Sequence, residues 1–192
     1  MPPKPWKVLS SRVNESFRIF NFRIDRALSP RTRQAHDFYV LESTDWVNVI
    51  PITSRGEVVL IRQYRHGTRE VTLEIPGGIV EPEDTPEDAA QRELLEETGF
   101  RAGEMILLGS VNPNPAFLTN RCYTYLAKDV VRAKMQEQDE KEDIEVEVRS
   151  LQEVPRLIRE GEITHALVLA AFYRFYLEYL PAMPGRGAVE KK

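Results

Sequence analysis

The chain predicts an α+β fold, a mixed sheet flanked by helices, on three observations. Strand-like segments come first, one capped acidic helix interrupts them, and further strands and an apolar helix follow, without the regular alternation of a βαβ repeat. The 192 residues are 42% hydrophobic and 9% aromatic, enough for a real core in one domain with a small appended element. The longest wholly apolar run near the C-terminus, 166–173, falls well short of the roughly 20 residues a membrane helix needs, and reads as a buried helix stripe.

The elements follow in order. Residues 7–13, 17–26 and 37–42 alternate or carry aromatic and β-branched side chains between turn formers such as Asn14-Glu15 and Ser29-Pro30, which predicts a small N-terminal antiparallel sheet over 1–44. Two largely apolar runs, 47–52 and 58–64, are split by Thr53-Ser54-Arg55-Gly56, the grammar of a hairpin. A strand over 71–75 ends at Pro76-Gly77-Gly78, which predicts a glycine-rich loop because proline lacks a donor and paired glycines permit close approach.

Thr85 can N-cap a helix, Pro86 suits its first position and Asp88 stands where a capping-box acid belongs; Gly99 stops it. Strands are expected at 105–111, 121–127 and 144–148, with Asn112-Pro113-Asn114-Pro115 as loop and the polar segment 135–143 as a mobile one. A short helix at 154–160 closes at Gly161, Thr164 caps a longer one to Leu180, and 181–192 is a loose tail, leaving 45–180 as the main domain.

Composition narrows the function. A net charge of −4 offers no face-wide surplus of Lys and Arg for a phosphate backbone, so a nucleic-acid partner is not expected and a small-molecule ligand is; no membrane partner is expected either. The single cysteine, Cys122, cannot form an internal disulfide, and the first ten residues lack a secretory apolar stretch, so the expected compartment is the reducing cytoplasm. His36, His66 and His165 are scattered without the spacing of a zinc site.

Charge is concentrated instead between Glu81 and Glu97, where eight acids accompany one base, Arg92. On the expected helix Glu93, Glu96 and Glu97 stand at i, i+3 and i+4 and share a face. Such repulsion is relieved by protonation, by a basic partner or by a cation, and oxygen ligands select hard Mg²⁺ or Mn²⁺. Arg92, four residues before Glu96, is its natural partner and leaves Glu93 and Glu97 for metal; Ala89, Ala90 and Leu94 form an apolar face for the sheet. A solvated acidic face is the ordinary alternative, but the glycine turn, the capped helix and the acids together supply a phosphate approach, a rigid mount and a metal seat.

The 23 residues from Gly78 to Phe100, with Arg92-Glu93-Leu94 and Glu96-Glu97-Thr98-Gly99 at their centre, resemble the Nudix box, GX5EX7REUXEEXGU with U a bulky aliphatic. Asp84 replaces its first Glu and Phe100 its last aliphatic. In the family that first acid mainly braces the turn into the helix, so activity is expected to survive. Leu60-Ile61-Arg62-Gln63-Tyr64-Arg65, Leu73-Glu74-Ile75-Pro76-Gly77-Gly78 and Glu140 to Ile144 extend the likeness to the ADP-ribose pyrophosphatase branch, over about 47–180. Pro115, fifteen residues past Phe100, stands at a spacing the family associates with ADP-ribose.

The resemblance implies an α/β/α sandwich with a mixed sheet and Mg²⁺-dependent hydrolysis (Mn²⁺ as substitute) of the pyrophosphate in ADP-ribose or a related nucleoside diphosphate sugar, giving a nucleoside monophosphate and a sugar phosphate. Its metal ligands would be Glu93, Glu97, the Gly77 carbonyl and Glu142, with Glu96 in support and Glu140 as general base. Arg65 is a candidate for the diphosphate, Arg62 a lesser one. Glu74 suits a sugar hydroxyl or a pair with Arg65, and Trp46, Phe38 or Tyr39 could stack on the base. The branch commonly exchanges the N-terminal sheet between two subunits, which implies a homodimer. GDP-mannose is the nearest competing substrate, and a nucleotide-binding domain without turnover is the reading from another class.

Overall fold

Period-two alternation along the central strands sorts the apolar side chains into two cores, one on each face of a sheet. The computed structural model describes residues 2–137 and 143–179. Its main sheet has seven strands: β4 (Trp46–Ile52), β5 (Glu57–Arg65), β6 (Glu70–Glu74), β7 (Gly77–Ile79), β9 (Glu104–Val111), β10 (Cys122–Lys128) and β12 (Ile144–Ser150). The order is β12-β5-β4-β10-β9, with β6 on β5 and β7 on β4. Strands β4 and β10 run parallel and the other pairs antiparallel, so the sheet is mixed as expected.

On one face Val47, Val49 and Val59 pack with Ala127 against Ala89, Ala90 and Leu94 of α1 (Pro86–Thr98). On the other, Ile50, Leu60, Leu73 and Leu126 pack against Val154 and Leu157 of α2 (Val154–Arg159) and Val168 and Phe172 of α3 (Ala166–Tyr179). Each such Val, Leu, Ile or Phe side chain contributes about 1.5–3 kcal/mol on burial, and the result is helices on both sides of a sheet. Asn48 lies between Val47 and Val49 and therefore shares the α3 face with Ile50.

A separate antiparallel sheet, in the order β1-β2-β3, is formed by β1 (Lys7–Ser16), β2 (Phe20–Leu28) and β3 (Ala35–Ser43). Strand β1 is exposed along its length. The sheet is tied to the rest of the chain where Leu41 donates to Phe117 O at 2.8 Å and Leu41 O accepts from Thr119 N at 3.2 Å.

Three local expectations change. Gly77 and Gly78 do not end the sheet in a loop: they enter it as β7, with Asn48 opposite Gly77, Val47 opposite Gly78 and Trp46 opposite Ile79. The last helix begins one residue later than a Thr164 cap implies, since its first bond runs from Leu169 N to His165 O at 3.0 Å. A two-stranded pair, β8 (Phe100–Arg101) and β11 (Val131–Arg132), is too short to leave a periodicity in the sequence.

Candidate active site

Helix α1 is set by its ends. Thr85 Oγ1 accepts from Asp88 N at 3.2 Å while Asp88 Oδ2 accepts from Thr85 N at 3.3 Å, a complete capping box with Pro86 in the first turn. Gly99 closes the helix in the left-handed region at φ 74°, its N–H bonded to Leu95 O at 2.9 Å. Burying Ala89, Ala90 and Leu94 against the sheet turns Glu93, Glu96 and Glu97 toward β7.

These acids line a cleft of about 570 Å³ together with Gln63, Arg65, Gly77, Gly78 and Arg92. Glu97 is only 4% exposed, and its Oε2 accepts from Gly77 N at 2.8 Å, which ties the helix to the glycine strand. A Cβ on Gly77 would collide with Val47 O and crowd Asn48 Oδ1; one on Gly78 would strike the Glu93 carboxylate. The paired glycines thus let backbone, neighbouring strand and two carboxylates approach closely.

Arg92 holds more than the expected partner. Its Nε and Nη2 donate to Asp84 Oδ2 at 3.1 and 3.0 Å, Nη2 also to Ile79 O at 3.0 Å, and Nη1 to Glu93 at 2.8 Å and Glu96 at 3.3 Å. Burial opposes the guanidinium charge, but Glu93, Asp84 and Glu96 outweigh it and raise its pKa above the ordinary value. Pairing with Glu96 alone is therefore corrected: Arg92 spans Asp84, Glu93 and Glu96 together. Asp84 meets the shorter reach of its side chain through this arginine and braces the turn into α1.

Arg65 reaches the same cleft from β5. Its Nε and Nη2 donate to Glu74 at 2.8 and 2.7 Å, and Thr72 Oγ1 donates to Glu74 at 2.6 Å. Glu74 is 2% exposed, so of the two roles open to it the structure has the pair with Arg65. Burial raises its pKa, yet the bonds from Arg65 and Thr72 prevail and hold it below the usual carboxylate range. Arg62 is drawn away to Glu147.

A second cleft, of about 560 Å³, adjoins the first and shares Arg65, Gly77, Gly78 and Ile79 with it. Trp46, Asn48, His66 and His165 line its other walls. Two buried polar atoms on this wall, Asn48 Nδ2 and His165 Nδ1, have no hydrogen-bond partner among the described residues. Burial lowers the pKa of His165, Arg65 adds to that effect and Glu74 opposes it. Neither Asn48 nor His165 was singled out as a site residue from the sequence; the one polar residue within an apolar strand run and a histidine opening an apolar helix were the available signals.

Other expected residues lie elsewhere. Pro115 lines neither cleft; it sits in the turn where Phe117 N and Leu118 N bond to Asn114 O. Phe38 packs edge-on against Trp6 with centroids 5.1 Å apart, and Tyr39 stacks on Phe22 at 6.0 Å, so both belong to the N-terminal sheet. Cys122 is buried, which pushes its thiol pKa up to about 12. Glu140 and Glu142 lie outside the described residues.

A resident divalent cation is consistent with the donor chemistry. The cleft offers carboxylate oxygens of Glu93, Glu96 and Glu97 beside the Gly77 backbone, a hard-oxygen set of the kind Mg²⁺ or Mn²⁺ takes. Among the described residues no three acids, histidines or cysteines stand grouped as a finished metal cage. Arg92 and the Gly77 N–H engage the acids in the geometry seen.

Comparison with known proteins agrees with this architecture. A family model described as NUDIX domain matches residues 43–172. ADP-ribose pyrophosphatase of Bacillus subtilis (strain 168) is 31% identical over 121 residues, 62% of this chain and 65% of that protein, so the chain spans just under two thirds of this relative. ADP compounds hydrolase NudE of Escherichia coli (strain K12) is 25% identical over 150 residues, 78% of this chain and 80% of that one. A crystal structure of an ADP compounds hydrolase superposes with a TM-score of 0.81 at 21% identity, covering 93% of this chain and 96% of the other, which is a likeness of fold. No helix among the described residues is long and apolar enough to cross a membrane.

Proposed function

The chain belongs to the NUDIX family of hydrolases, and from that premise we propose that it hydrolyses, with Mg²⁺ or Mn²⁺, the pyrophosphate of ADP-ribose or a closely related nucleoside diphosphate sugar, releasing AMP and a sugar phosphate. The observation that carries the reading is the acid cleft itself: Glu93 and Glu97, mounted on a doubly capped helix, packed against the Gly77-Gly78 strand with Arg65 opposite.

In this proposal Glu93 and Glu97, with the Gly77 carbonyl and Glu142, hold the divalent ions, and Glu96 supports them. When bound, such ions drain charge from the diphosphate and lower the pKa of a water. The chain's own residues do the remainder. Arg65, fixed by Glu74 at two of its nitrogens, presents positive charge to the diphosphate. Arg92 and Asp84 keep the turn into α1 rigid, so the acids remain on one wall. Glu140 takes the proton from the attacking water, a role that rests on the family resemblance alone. Trp46, on the wall of the adjoining cleft, offers its ring to the base.

We place the enzyme in the cytoplasm as a homodimer. Supporting the dimer is the N-terminal sheet, where Val8, Leu9, Val13, Phe17, Ile19, Phe38 and Tyr39 are exposed. A monomeric mass by light scattering at micromolar concentration rejects it. The activity is tested by incubating the protein with ADP-ribose, ADP-glucose, GDP-mannose and UDP-glucose, each with Mg²⁺ or Mn²⁺. Preferred turnover of an ADP-sugar is expected. Preference for GDP-mannose reassigns the substrate, and binding of ADP-ribose by calorimetry without turnover on any of them reduces the protein to a nucleotide-binding domain.

A further inference from the structure

The helix that carries the acids ends against a part of the chain the hydrolytic reading does not use. An α-helix leaves its last four carbonyls without an intrahelical donor. At the end of α1 the Gly99 N–H takes Leu95 O, while Phe100 N, the donor four residues beyond Glu96, is turned to Thr98 Oγ1 at 3.1 Å. Glu96 O accepts instead from Glu137 N at 3.0 Å, and Gly99 O from Ala133 N and Lys134 N at 2.9 and 3.2 Å. Residues 133–137 therefore form a strap over the last turn, the turn that holds Glu96 and Glu97.

Two features keep that strap in place. A Cβ on Gly99 would strike Lys134 O, so this glycine supplies more than a left-handed φ: its bare Cα lets the strap lie against the helix end. Gln136 Nε2 then donates to Ile144 O at 3.0 Å, where β12 begins with Ile144 opposite Gln63 of β5. Gln63 and Glu137 both line the acid cleft, the Glu137 carboxylate engaged within the strap by Lys134 Nζ at 2.6 Å. The strap thus joins the helix end to the β5–β12 side of the sheet, and one side-chain amide fastens it. Gln136 itself lines neither cleft.

We propose that Gln136 is a positioning residue for the acid cleft: by fastening the strap to β12 it holds the last turn of α1, and so Glu96 and Glu97, in the geometry that receives a divalent ion. The physical reason is preorganisation. Helix ends fray, and a carboxylate on a frayed turn must be ordered again when an ion binds, which weakens the affinity. The bond runs from a neutral amide to a carbonyl, so its loss changes no charge near the cleft. A change in ion affinity then reports geometry alone.

The inference rests on the metal-dependent reading of this cleft, and its test needs no turnover. Mn²⁺ is titrated into metal-stripped wild type, Gln136→Ala, Gln136→Leu and Glu97→Gln, with free Mn²⁺ read from its electron paramagnetic resonance signal and urea unfolding followed on the same samples. Glu97→Gln identifies the cleft as the binding place by losing the bound ion. Each Gln136 variant is expected to bind Mn²⁺ about three- to tenfold more weakly, the worth of one neutral hydrogen bond. With ADP-ribose the half-saturating Mg²⁺ concentration rises by a similar factor, while KM for the nucleotide sugar at saturating Mg²⁺ is unchanged. Gln136→Ala decides the matter should the leucine variant fail to fold. Mn²⁺ affinity equal to that of the wild type, whatever happens to unfolding, makes Gln136 merely structural and overturns the proposal, as does a wild type whose Mn²⁺ binding is absent or indifferent to Glu97. Weakened Mn²⁺ binding in the Gln136 variants, alongside no wild-type turnover of any nucleotide sugar, overturns the hydrolase reading and supports the positioning role.

Discussion

Replacing Arg65 with alanine separates the burial of Glu74 from its pairing. Glu74 is 2% exposed and takes hydrogen bonds from Arg65 Nε at 2.8 Å, Arg65 Nη2 at 2.7 Å and Thr72 Oγ1 at 2.6 Å. The substitution leaves a buried carboxylate with Thr72 alone. Removing one member of a buried ion pair costs about 3–5 kcal/mol. At about 2–4 °C per kcal/mol for a chain of this size, the midpoint falls by about 6–20 °C. Glu74→Gln removes the other member but leaves an arginine side chain that is 41% exposed and can take water, so its loss is smaller.

The pH dependence has a definite sign. In the wild type the folded pKa of Glu74 is depressed, so the pair's contribution is present above the ordinary carboxylate pKa and fades as pH falls through the depressed folded value. In Arg65→Ala burial is no longer offset and the folded pKa rises above the unfolded one. That variant gains relative stability as pH drops and the carboxyl takes up a proton. Urea denaturation of both proteins from about pH 7.5 down to pH 5 reads the gap between them. The gap is expected to be widest at the alkaline end and to narrow with acid. A gap independent of pH, or a larger loss for Glu74→Gln than for Arg65→Ala at pH 7.5, refutes the reasoning.

Three further substitutions probe separate parts of the site. Glu97→Gln removes a proposed metal ligand that also accepts from Gly77 N, and an ion supplies several kcal/mol of transition-state stabilisation, so kcat on ADP-ribose falls about 100-fold or more in steady-state assays. Gly78→Ala introduces a Cβ into the space of the Glu93 carboxylate; the metal concentration for half-maximal activity rises while urea unfolding shifts by no more than about 1–3 kcal/mol. Thr85→Ala deletes the helix cap and costs about 0.5–2 kcal/mol in urea unfolding, with KM for the nucleotide sugar unchanged because Thr85 lines neither cleft.

The acidic helix was legible because local chemistry decides it. Thr85, Pro86, Asp88 and Gly99 fix its ends without help from the rest of the chain, and the spacing of Glu93, Glu96 and Glu97 then fixes the face. The central strands of the main sheet declared themselves as short, largely apolar runs split by turn residues, and the two faces of the sheet became two cores. What the sequence left open was long-range. Gly77 and Gly78 read as a loop because glycine lowers strand propensity, yet the lack of a Cβ is what lets them pair with β4. Arg92 can reach Asp84, eight residues back, only because the turn from β7 into α1 folds Asp84 over the helix. Asn48 and His165 come together across 117 positions of sequence through the sheet and the start of α3, a meeting no local pattern announces.

Glu93 and Glu97 as the seat of the divalent ions are tested by the rate of AMP and ribose 5-phosphate release from ADP-ribose, followed chromatographically as Mg²⁺ is titrated into metal-stripped protein. Saturable dependence on Mg²⁺, no release in EDTA, and a flat baseline for the double variant Glu93→Gln/Glu97→Gln at any Mg²⁺ concentration are expected. Release that persists in EDTA, or that survives undiminished in the double variant, rules that role out.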